Sequence, residues 1–243
     1  MSAPAAIILA AGVGKRFGGE LGDRPKALLE VGGETLVGRI LRQLRAAGVE
    51  RIAVVVGWGG DAIAEHLADA GVEIVRNPDF RRGAILSLWC ARHLLDGDVL
   101  VMDADVFCPD EAILRLVRSP HESCFLLDGR ATASGEEQML HVRGGLVRDI
   151  ARRPRGEHEL LGESIGFLKL SSAAARLLRD LMRDRIERGD VDLEHEEVYP
   201  DLLARVDVGY ERADDFEWTE IDFPDDLARA RAIAARRARP HAR

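Results

Sequence analysis

A glycine-rich segment near the start of the chain carries closely spaced basic residues. Gly12 and Gly14 precede Lys15 and Arg16, and Lys26 follows in the same segment. Glycine lets a backbone approach a ligand closely, while lysine and arginine neutralise phosphate oxygens. Most positive charges of this chain are arginines, so two lysines in one segment suggest a need for compact ammonium groups. The segment therefore predicts a binding loop for a polyphosphate.

The spacing of these glycines excludes the two most familiar phosphate-binding loops. In a GxGxxG dinucleotide fingerprint the third glycine would fall at Phe17, and this loop is longer than that motif allows. In a Walker A loop, serine or threonine follows the lysine, whereas Arg16 follows Lys15 here. The sequence therefore predicts a long phosphate-binding loop of another kind.

Two pairs of carboxylates repeat the same spacing. Asp103 and Asp105 come at the end of an apolar run, and Glu220 and Asp222 come just before a predicted helix. We expect the members of the first pair to share one face, because side chains two apart on a strand point the same way. Mg²⁺ prefers oxygen ligands and is commonly held by one or two carboxylates plus substrate phosphates. One residue from each pair would therefore suffice for a magnesium site.

These residues must be positioned by elements that alternate between strand and helix. Apolar runs predict strands at residues 5–10, 51–57, 72–76 and 98–105. Amphipathic runs between them predict helices at 34–47, 61–70 and 84–95. Uniformly apolar strands separated by helices indicate a parallel sheet covered on both faces. The ligand cleft is then expected beyond the carboxyl ends of the strands, where the loop after the first strand lies.

The pattern changes after residue 121. Shorter alternating runs predict strands at 124–128, 138–150 and 163–170, and Gly144 with Gly145 marks a hairpin turn. Helices are predicted at 173–187, 196–204 and 224–235. The predicted fold is therefore an α/β, Rossmann-like three-layer sandwich with a mostly parallel central sheet and a small antiparallel section.

Composition excludes several classes of protein. The chain has 243 residues, a formal net charge of -8 and 47% hydrophobic residues, which predicts one globular domain without bulk affinity for nucleic acid. Its longest apolar run, 5–13, is too short to span a membrane, and no basic residue precedes it as in a secretory signal. A cytoplasmic location is therefore expected. Three cysteines without CxxC spacing predict neither disulfides nor a zinc site, and a homodimer is left open.

The segment LAAGVGKRFGGELGDRPKALL resembles the signature of the sugar-phosphate nucleotidyltransferase superfamily, LAAGxGxR followed by PK. The resemblance implies that the loop lines the nucleotide and that Arg16 and Lys26 hold its phosphates and the departing pyrophosphate. The implied nucleotide-binding residues are Leu9, Ala10, Ala11, Gly12, Gly14 and Lys15. Aligning the superfamily's GDxxF and EIDxPxDL patterns places the metal ligands at Asp105 and Asp222. Asp103 competes for the first role and otherwise belongs to the nucleotide site.

Later segments resemble one branch of the superfamily, the cytidylyltransferases that act on phosphocholine, phosphonates or inositol phosphate. NPDFRRGAILSLWCAR resembles the branch's cytosine-contacting segment and makes Ser87 the candidate for the base pocket. Ala84 stands where the branch often has asparagine, which weakens the expectation of cytosine selectivity. LGESIGFLKLS resembles the branch's GExxGxxKxS strand. The candidates for acceptor binding are Arg152, Glu163, Glu196 and Trp218.

The resemblance implies a Mg²⁺-dependent enzyme that transfers CMP from CTP to a small phosphorylated alcohol or phosphonate. Its single domain, 1–243, would comprise a nucleotide-binding half, 1–121, and an acceptor-binding half with the second metal ligand, 122–243. Two alternatives stay open. One is a sugar-1-phosphate or molybdenum-cofactor nucleotidyltransferase that uses another NTP, and the other is a noncatalytic nucleotide-binding regulatory module. The presence of Lys26 with both metal-ligand candidates argues against the second alternative.

Overall fold

Strands and helices alternate through most of the chain. The computed structural model describes residues 3–17, 24–131, 135, 137–153 and 156–238. The strands are β1 (Ala5–Ala10), β2 (Glu30–Val31), β3 (Glu34–Thr35), β4 (Ile52–Val56), β5 (Glu73–Arg76), β6 (Val99–Asp103), β7 (Val106–Phe107), β8 (Cys124–Asp128), β9 (Met139–Arg143), β10 (Leu146–Ala151), β11 (Leu160–Leu170), β12 (Gly209–Arg212) and β13 (Thr219–Glu220). The helices are α1 (Leu36–Ala46), α2 (Gly60–His66), α3 (Ala84–Cys90), α4 (Asp110–Arg118), α5 (Ser172–Glu187), α6 (Tyr199–Leu203) and α7 (Pro224–Arg237).

In the described ranges, a sheet of nine strands joins both halves of the chain. Its order is β10-β9-β11-β6-β1-β4-β5, with β8 beside β11 and β12 beside β8. Strands β6, β1, β4 and β5 are mutually parallel, whereas β11 runs antiparallel to β6, β8 and β9. The predicted α/β fold, with a mostly parallel centre and an antiparallel section, is confirmed. The single domain and its division at residue 121 stay predictions.

Helices cover both faces of the sheet and make three layers. Neighbouring residues of β1 point to opposite faces, as in any strand, so Ile7 and Ile8 enter two different cores. Ile7 packs in the core that contains residues of α3, α5 and α6. Ile8 packs in the core that contains residues of α1, α2 and α4. Strands buried on both faces must be apolar throughout, which explains the uniform sequence of β1 and β4.

A third, smaller core lies under α7 and packs against two segments that carry predicted site residues. Phe17, Phe107, Ile221 and Ile233 are buried together there. Phe17 directly follows Arg16, and Ile221 directly precedes Asp222. The loop after β1 and the segment after β13 are therefore anchored in the same apolar cluster, although they are far apart in sequence.

The predicted elements differ from the structure where they are short or interrupted. Strand β6 ends at Asp103, so Asp105 lies in the following turn and not on the strand. Helix α3 ends at Cys90 and is followed by a separate 3₁₀ turn, Arg92–Leu94, which breaks the predicted helix at 84–95. Helix α4 and the short strands β2, β3, β7, β12 and β13 were not predicted. Each of these strands has two to four residues, too few to show a hydrophobic period.

Helices that could cross a membrane are absent from the part of the chain that the structure describes, since none combines the required length with the required apolar character.

Candidate active site

A cleft of about 390 Å³ opens at the carboxyl ends of β1 and β6, as expected for a parallel sheet. The loop after β1 lines this cleft together with residues of β11 and of the 3₁₀ turn His195–Val198. The predicted site residues that line it are Leu9, Ala11, Gly12, Gly14, Arg16, Lys26, Ser87, Asp103, Asp105, Arg152, Glu196 and Asp222. The structure thus brings most of the predicted residues to one cleft.

Four predicted residues lie elsewhere or cannot be placed in the cleft. Ala10 is buried in the core on the α1 side of the sheet, so its side chain does not line the cleft. The side chain of Lys15 lies outside the described part of the chain. Glu163 and Trp218 line a second cavity of about 420 Å³, which shares Arg16 and Asp222 with the cleft. Their roles in binding stay predictions.

Lys26 connects the two predicted metal ligands. Its Nζ lies 2.6 Å from Asp105 Oδ2 and donates a hydrogen bond of 2.8 Å to Asp222 Oδ1. Arg16 donates to the other oxygen of Asp222. Burial lowers the pKa of Lys26, but attraction to Asp105 and Asp222 outweighs that effect and raises the pKa above its ordinary value. The ammonium group therefore stays charged at neutral pH.

Local structure explains why Lys26 points into the cleft. The residue begins the 3₁₀ turn Lys26–Leu28, in which Ala27 and Leu28 are buried. Pro25 precedes it in extended conformation and packs against Gly59, where a Cβ atom would meet the Pro25 ring at 2.3 Å. Because one side of the turn is fixed in the core, the Lys26 side chain projects from the other side toward the carboxylates.

Asp105, Glu220 and Asp222 form a group of carboxylates, which we call the oxygen triad. One carboxylate oxygen of each lies within 4.8 Å of the others. Desolvation and repulsion from Asp105 and Asp222 raise the pKa of Glu220 to about 8. For Asp222, burial raises the pKa, but Lys26 and Arg16 outweigh it and lower the pKa below its ordinary value. An all-oxygen, negatively charged set of this kind fits Mg²⁺.

Asp103 faces a different set of residues from Asp105. Its Oδ1 lies 3.9 Å from His195 Nε2, and His195 Nδ1 lies 3.1 Å from Glu196 Oε2. We call Asp103, His195 and Glu196 the histidine group. Burial, followed by repulsion from Glu196 and Asp105, raises the pKa of Asp103 well above its ordinary value. The expectation that Asp103 and Asp105 share one face is therefore wrong, because the strand ends between them.

Gly166 allows Asp103 to occupy this position. Strand β11 pairs with β6 so that Phe167 faces Met102, and Gly166 comes next beside Asp103. Gly166 has a φ of 77°, and a Cβ atom there would lie 2.8 Å from Asp103 Oδ2. The glycine is thus required by both the backbone conformation and the close approach of the carboxylate.

Ser87 lies on α3, lines the cleft and is buried. Asn77 Nδ2 donates a hydrogen bond of 2.9 Å to Ser87 Oγ. Since this bond uses the serine oxygen as an acceptor, the hydroxyl proton remains for donation to a ligand. Asn77 begins the segment NPDFRRGAILSLWCAR, but it was not a predicted site residue, because only the fold brings it next to Ser87.

The turn that carries His195 and Glu196 is tied to the start of α3. Gly83 N donates to Val191 O and Ile85 N donates to Leu193 O, both at 3.1 Å. At Gly83 a Cβ atom would lie 2.0 Å from Leu193 O, so no larger residue fits without a backbone shift. His195 was not predicted as a site residue, because no local motif marks it and tertiary contact alone brings it to the cleft.

The second cavity contains its own acidic residues, which differ from those of the cleft in their partners. Trp218 Nε1 donates a hydrogen bond of 2.8 Å to Asp128 Oδ2. Burial, followed by repulsion from Glu137 and Asp128, raises the pKa of Glu163 to about 7. Glu163 and Trp218 share this cavity with Glu220 and Asp222 of the oxygen triad, whereas Arg152 and Glu196 line the cleft.

Comparisons with known proteins find relatives that match most of this chain. The chain is 32% identical over 234 residues to the bifunctional IPC transferase and DIPP synthase of Rubrobacter xylanophilus, covering 91% of this chain and 50% of that protein. It is 27% identical over 228 residues to the 2-aminoethylphosphonate cytidylyltransferase of Lancefieldella rimae, covering 92% and 90%. The chain thus spans about half the length of the first relative and most of the second.

A solved structure shows the same fold. The CTP:phosphocholine cytidylyltransferase of Streptococcus pneumoniae superimposes with a TM-score of 0.80 at 24% identity, covering 95% of this chain and 99% of that one. The profile of the MobA-like NTP transferase domain matches residues 6–166, a range that includes the loop after β1, Asp103, Asp105 and Gly166. The predicted resemblance to nucleotidyltransferases is therefore confirmed, and the chain belongs to the MobA-like NTP transferase domain family.

Proposed function

We propose that this domain is a Mg²⁺-dependent cytidylyltransferase. It transfers CMP from CTP to a small phosphorylated alcohol or phosphonate and releases pyrophosphate. The observation that carries this proposal is the bridge of Lys26 between Asp105 and Asp222, with Arg16 on the same aspartate, beside a glycine-rich loop. Positive groups and metal-binding oxygens thus converge on one point of the cleft, as transfer between two polyanions requires.

The reaction follows from what these residues can do. A phosphate or phosphonate oxygen of the acceptor forms a bond to the α-phosphorus of CTP, and the bond from that phosphorus to the bridging oxygen breaks. The electron pair leaves with pyrophosphate. Because the attacking oxygen is already ionised, no general base is required. The contribution of Arg16 and Lys26 is to hold the reactants in line and to balance the charge that develops on pyrophosphate.

The oxygen triad is the proposed metal site. Asp105 and Asp222 would hold Mg²⁺, and Glu220 would support them, because the three carboxylates offer hard oxygen ligands at one place. When bound, the ion supplies positive charge to the phosphates in addition to that of the side chains. Asp103 belongs to the histidine group, so Asp105 is the favoured first ligand of the two.

The preference for CTP is supported by the cytidylyltransferase activity for which the relatives are named and by Ser87. The bond from Asn77 directs the Ser87 hydroxyl to act as a donor. Cytosine offers acceptors at O2 and N3, whereas uracil carries an N–H group at position 3. A hydroxyl donor directed at N3 would therefore favour cytosine. Ala84 adds no amide to this recognition, so Ser87 would carry more of it than in a site with asparagine.

Pyrophosphate release tests this function. The full chain is incubated with Mg²⁺ and each of CTP, UTP, GTP and ATP, crossed with 2-aminoethylphosphonate, phosphocholine, inositol-1-phosphate and hexose-1-phosphates. Release with CTP and one of the first three acceptors is the expected result. Release only with another NTP and a sugar phosphate would overturn the cytidylyltransferase assignment. Nucleotide binding without any release would favour a noncatalytic module.

A further inference from the structure

We propose that Lys26 and Mg²⁺ compete for the same carboxylate oxygens, so that Mg²⁺ binds tightly only together with CTP, whose phosphates take over the Lys26 ammonium group. This inference rests on the proposed function and specifies the form of its nucleotide substrate, a complex of CTP with the metal. It concerns Lys26, Asp105 and Asp222, which line the cleft together with Gly14 and Arg16.

The first argument is that both oxygens of Asp222 accept hydrogen bonds from cations. Asp222 Oδ1 accepts a bond of 2.8 Å from Lys26 Nζ, and Asp222 Oδ2 accepts one from Arg16. Lys26 Nζ also lies 2.6 Å from Asp105 Oδ2, so one ammonium group bridges the two proposed metal ligands. Mg²⁺ binds its oxygen ligands at about 2.0–2.1 Å. A metal ion that bridged the same two oxygens would therefore overlap with Lys26 Nζ.

The second argument is the strength of these contacts. The side chain of Lys26 is 13% exposed, and those of Asp105 and Asp222 are 23% and 24% exposed. Partly buried charges are screened little by salt, and hydrogen bonds between charged groups are stronger than neutral ones. Two cations at one point also repel each other. Mg²⁺ must therefore break a strong ion pair, unless the ammonium group receives another negative partner.

The position of Lys26 allows its ammonium group to change partners. The main chain of the 3₁₀ turn Lys26–Leu28 is fixed by its buried residues, but the lysine side chain is a flexible four-carbon stem. Gly14 lines the same cleft, and its φ of 66° is a conformation that brings backbone close to a ligand. A triphosphate bound beside Gly14 carries several negative charges, so it can hold the ammonium group in place of the two carboxylates.

The consequence is a coupling between metal binding and nucleotide binding. Because CTP draws Lys26 away from Asp105 and Asp222, CTP must tighten the binding of Mg²⁺ to these carboxylates. By linkage, Mg²⁺ then tightens the binding of CTP by the same factor. A chain without the ammonium group would bind Mg²⁺ in the absence of nucleotide and would lose this part of the coupling.

Calorimetric titration of the full chain with Mg²⁺, in the absence of nucleotide, tests the proposal. The test variant is Lys26→Met, whose side chain has a similar length but no charge. We expect it to bind Mg²⁺ at least about tenfold more tightly than the parent chain, because no hydrogen bond between charged groups has to be broken. Arg16→Met is the matched control. It removes a cation from Asp222 but leaves the ammonium bridge, so its gain should be clearly smaller.

A measurement on the parent chain does not depend on the folding of Lys26→Met. The lysines of the chain are Lys15, Lys26 and Lys169, so their Nζ atoms can be resolved by NMR after labelling with isotopic lysine. The variants Lys15→Arg and Lys169→Arg assign the signals. We expect the Lys26 signal to shift over the range of Mg²⁺ concentration in which the metal binds, before any nucleotide is added.

The outcomes separate this proposal from the proposed function. Equal Mg²⁺ affinity of Lys26→Met and the parent chain, an equal gain in Arg16→Met, or saturation with Mg²⁺ without a shift of the Lys26 signal would overturn the competition. Pyrophosphate release from CTP by the parent chain would still support the cytidylyltransferase assignment in each of these cases. Tighter Mg²⁺ binding by Lys26→Met, without pyrophosphate release by the parent chain, would support the competition and contradict that assignment.

Discussion

The two carboxylate groups of the cleft differ in how their charge is balanced. In the oxygen triad, Lys26 lies within hydrogen-bond distance of both Asp105 and Asp222. In the histidine group, the ion-pair partner of Asp103 and Glu196 among the described residues is His195, although the charge of Lys26 also acts to lower the pKa of Asp103. A group balanced by its own chain can hold its geometry before substrate arrives. The oxygen triad is thus held by ion pairs within its own chain, whereas the carboxylates of the histidine group are linked through an imidazole.

Removing Lys26, whose charge balances the oxygen triad, should have the largest effect on turnover. We expect Lys26→Ala to lower turnover by about 10²–10³-fold, because the variant lacks a cation that opposes charge on the departing pyrophosphate. Steady-state pyrophosphate release measures the change, and circular dichroism checks that the variant is folded. Arg148→Ala removes a positive charge from an exposed pair with Asp207 and serves as the control. A folded Lys26→Ala with full turnover would refute the assigned role.

Loss of a triad carboxylate should weaken metal binding. We expect Asp222→Asn to lower the affinity for Mg²⁺ by at least about tenfold, since even substitutions outside the coordination sphere cause losses of that size. Calorimetric titration with Mg²⁺ in the presence of CTP measures it. The control is Asp225→Asn, which changes an exposed acid in the first turn of α7 that does not line the cleft. If both variants bind Mg²⁺ like the parent chain, the triad is not the metal site.

The histidine group can be disturbed without changing any of its members. Gly166→Ala forces a Cβ atom against Asp103, whereas Gly145→Ala changes a glycine with a similar φ of 72° and no neighbour within 4 Å. In both variants the free energy of unfolding should fall by about 1–2 kcal/mol, because alanine is disfavoured in the left-handed backbone conformation. In Gly166→Ala it should fall by a further ~1–3 kcal/mol, because the new Cβ atom contacts Asp103 too closely. Urea denaturation measures both, and equal losses would show that Asp103 moves away freely.

The smallest expected effect is a change in folding stability when Glu163, an acid of the second cavity, is replaced. Its pKa is raised to about 7, so the folded chain holds this proton more tightly than the unfolded chain between about pH 4.5 and 7. Stability from this group is therefore present at low pH and lost as pH rises through 7. The Glu163→Gln variant, whose side chain stays neutral, should be as stable as the parent chain near pH 4 and more stable than it near pH 8.

The gain from Glu163→Gln should be about 1 kcal/mol or less, because the side chain is partly exposed to solvent. Thermal denaturation at the two pH values measures it. Glu187→Gln, at an exposed acid on α5, should show no pH-dependent difference from the parent chain. A Glu163→Gln variant that loses stability at pH 8 would contradict the electrostatic account of this cavity.

Contiguous motifs made the loop after β1 and both metal-ligand candidates predictable. Lys26, Asp105 and Asp222 each lie in a short segment whose pattern of residue types predicts a binding site. In the structure, Lys26 forms ion pairs with both aspartates. The three-layer fold was also predictable, because strands buried on both faces must be apolar throughout.

The histidine group could not be predicted in the same way. The pairing of Asp103 with His195 depends on where β6 ends and on main-chain bonds that tie the turn at His195 to α3. Asn77 likewise reaches Ser87 only through the fold. Spacing along a strand predicts a shared face only while the strand continues, which is why Asp103 and Asp105 were wrongly expected to face the same way.

The most direct test of the account follows the α-phosphorus of CTP. The full chain is incubated with Mg²⁺, CTP labelled at the α-phosphate, and 2-aminoethylphosphonate, and the products are separated and counted. We predict that the label moves to a CMP-phosphonate product in amounts equal to the pyrophosphate released, and only when Mg²⁺ is present. Label that stays in CTP, or appears only in free CMP, with every acceptor of the panel would contradict the assignment of this domain as a cytidylyltransferase.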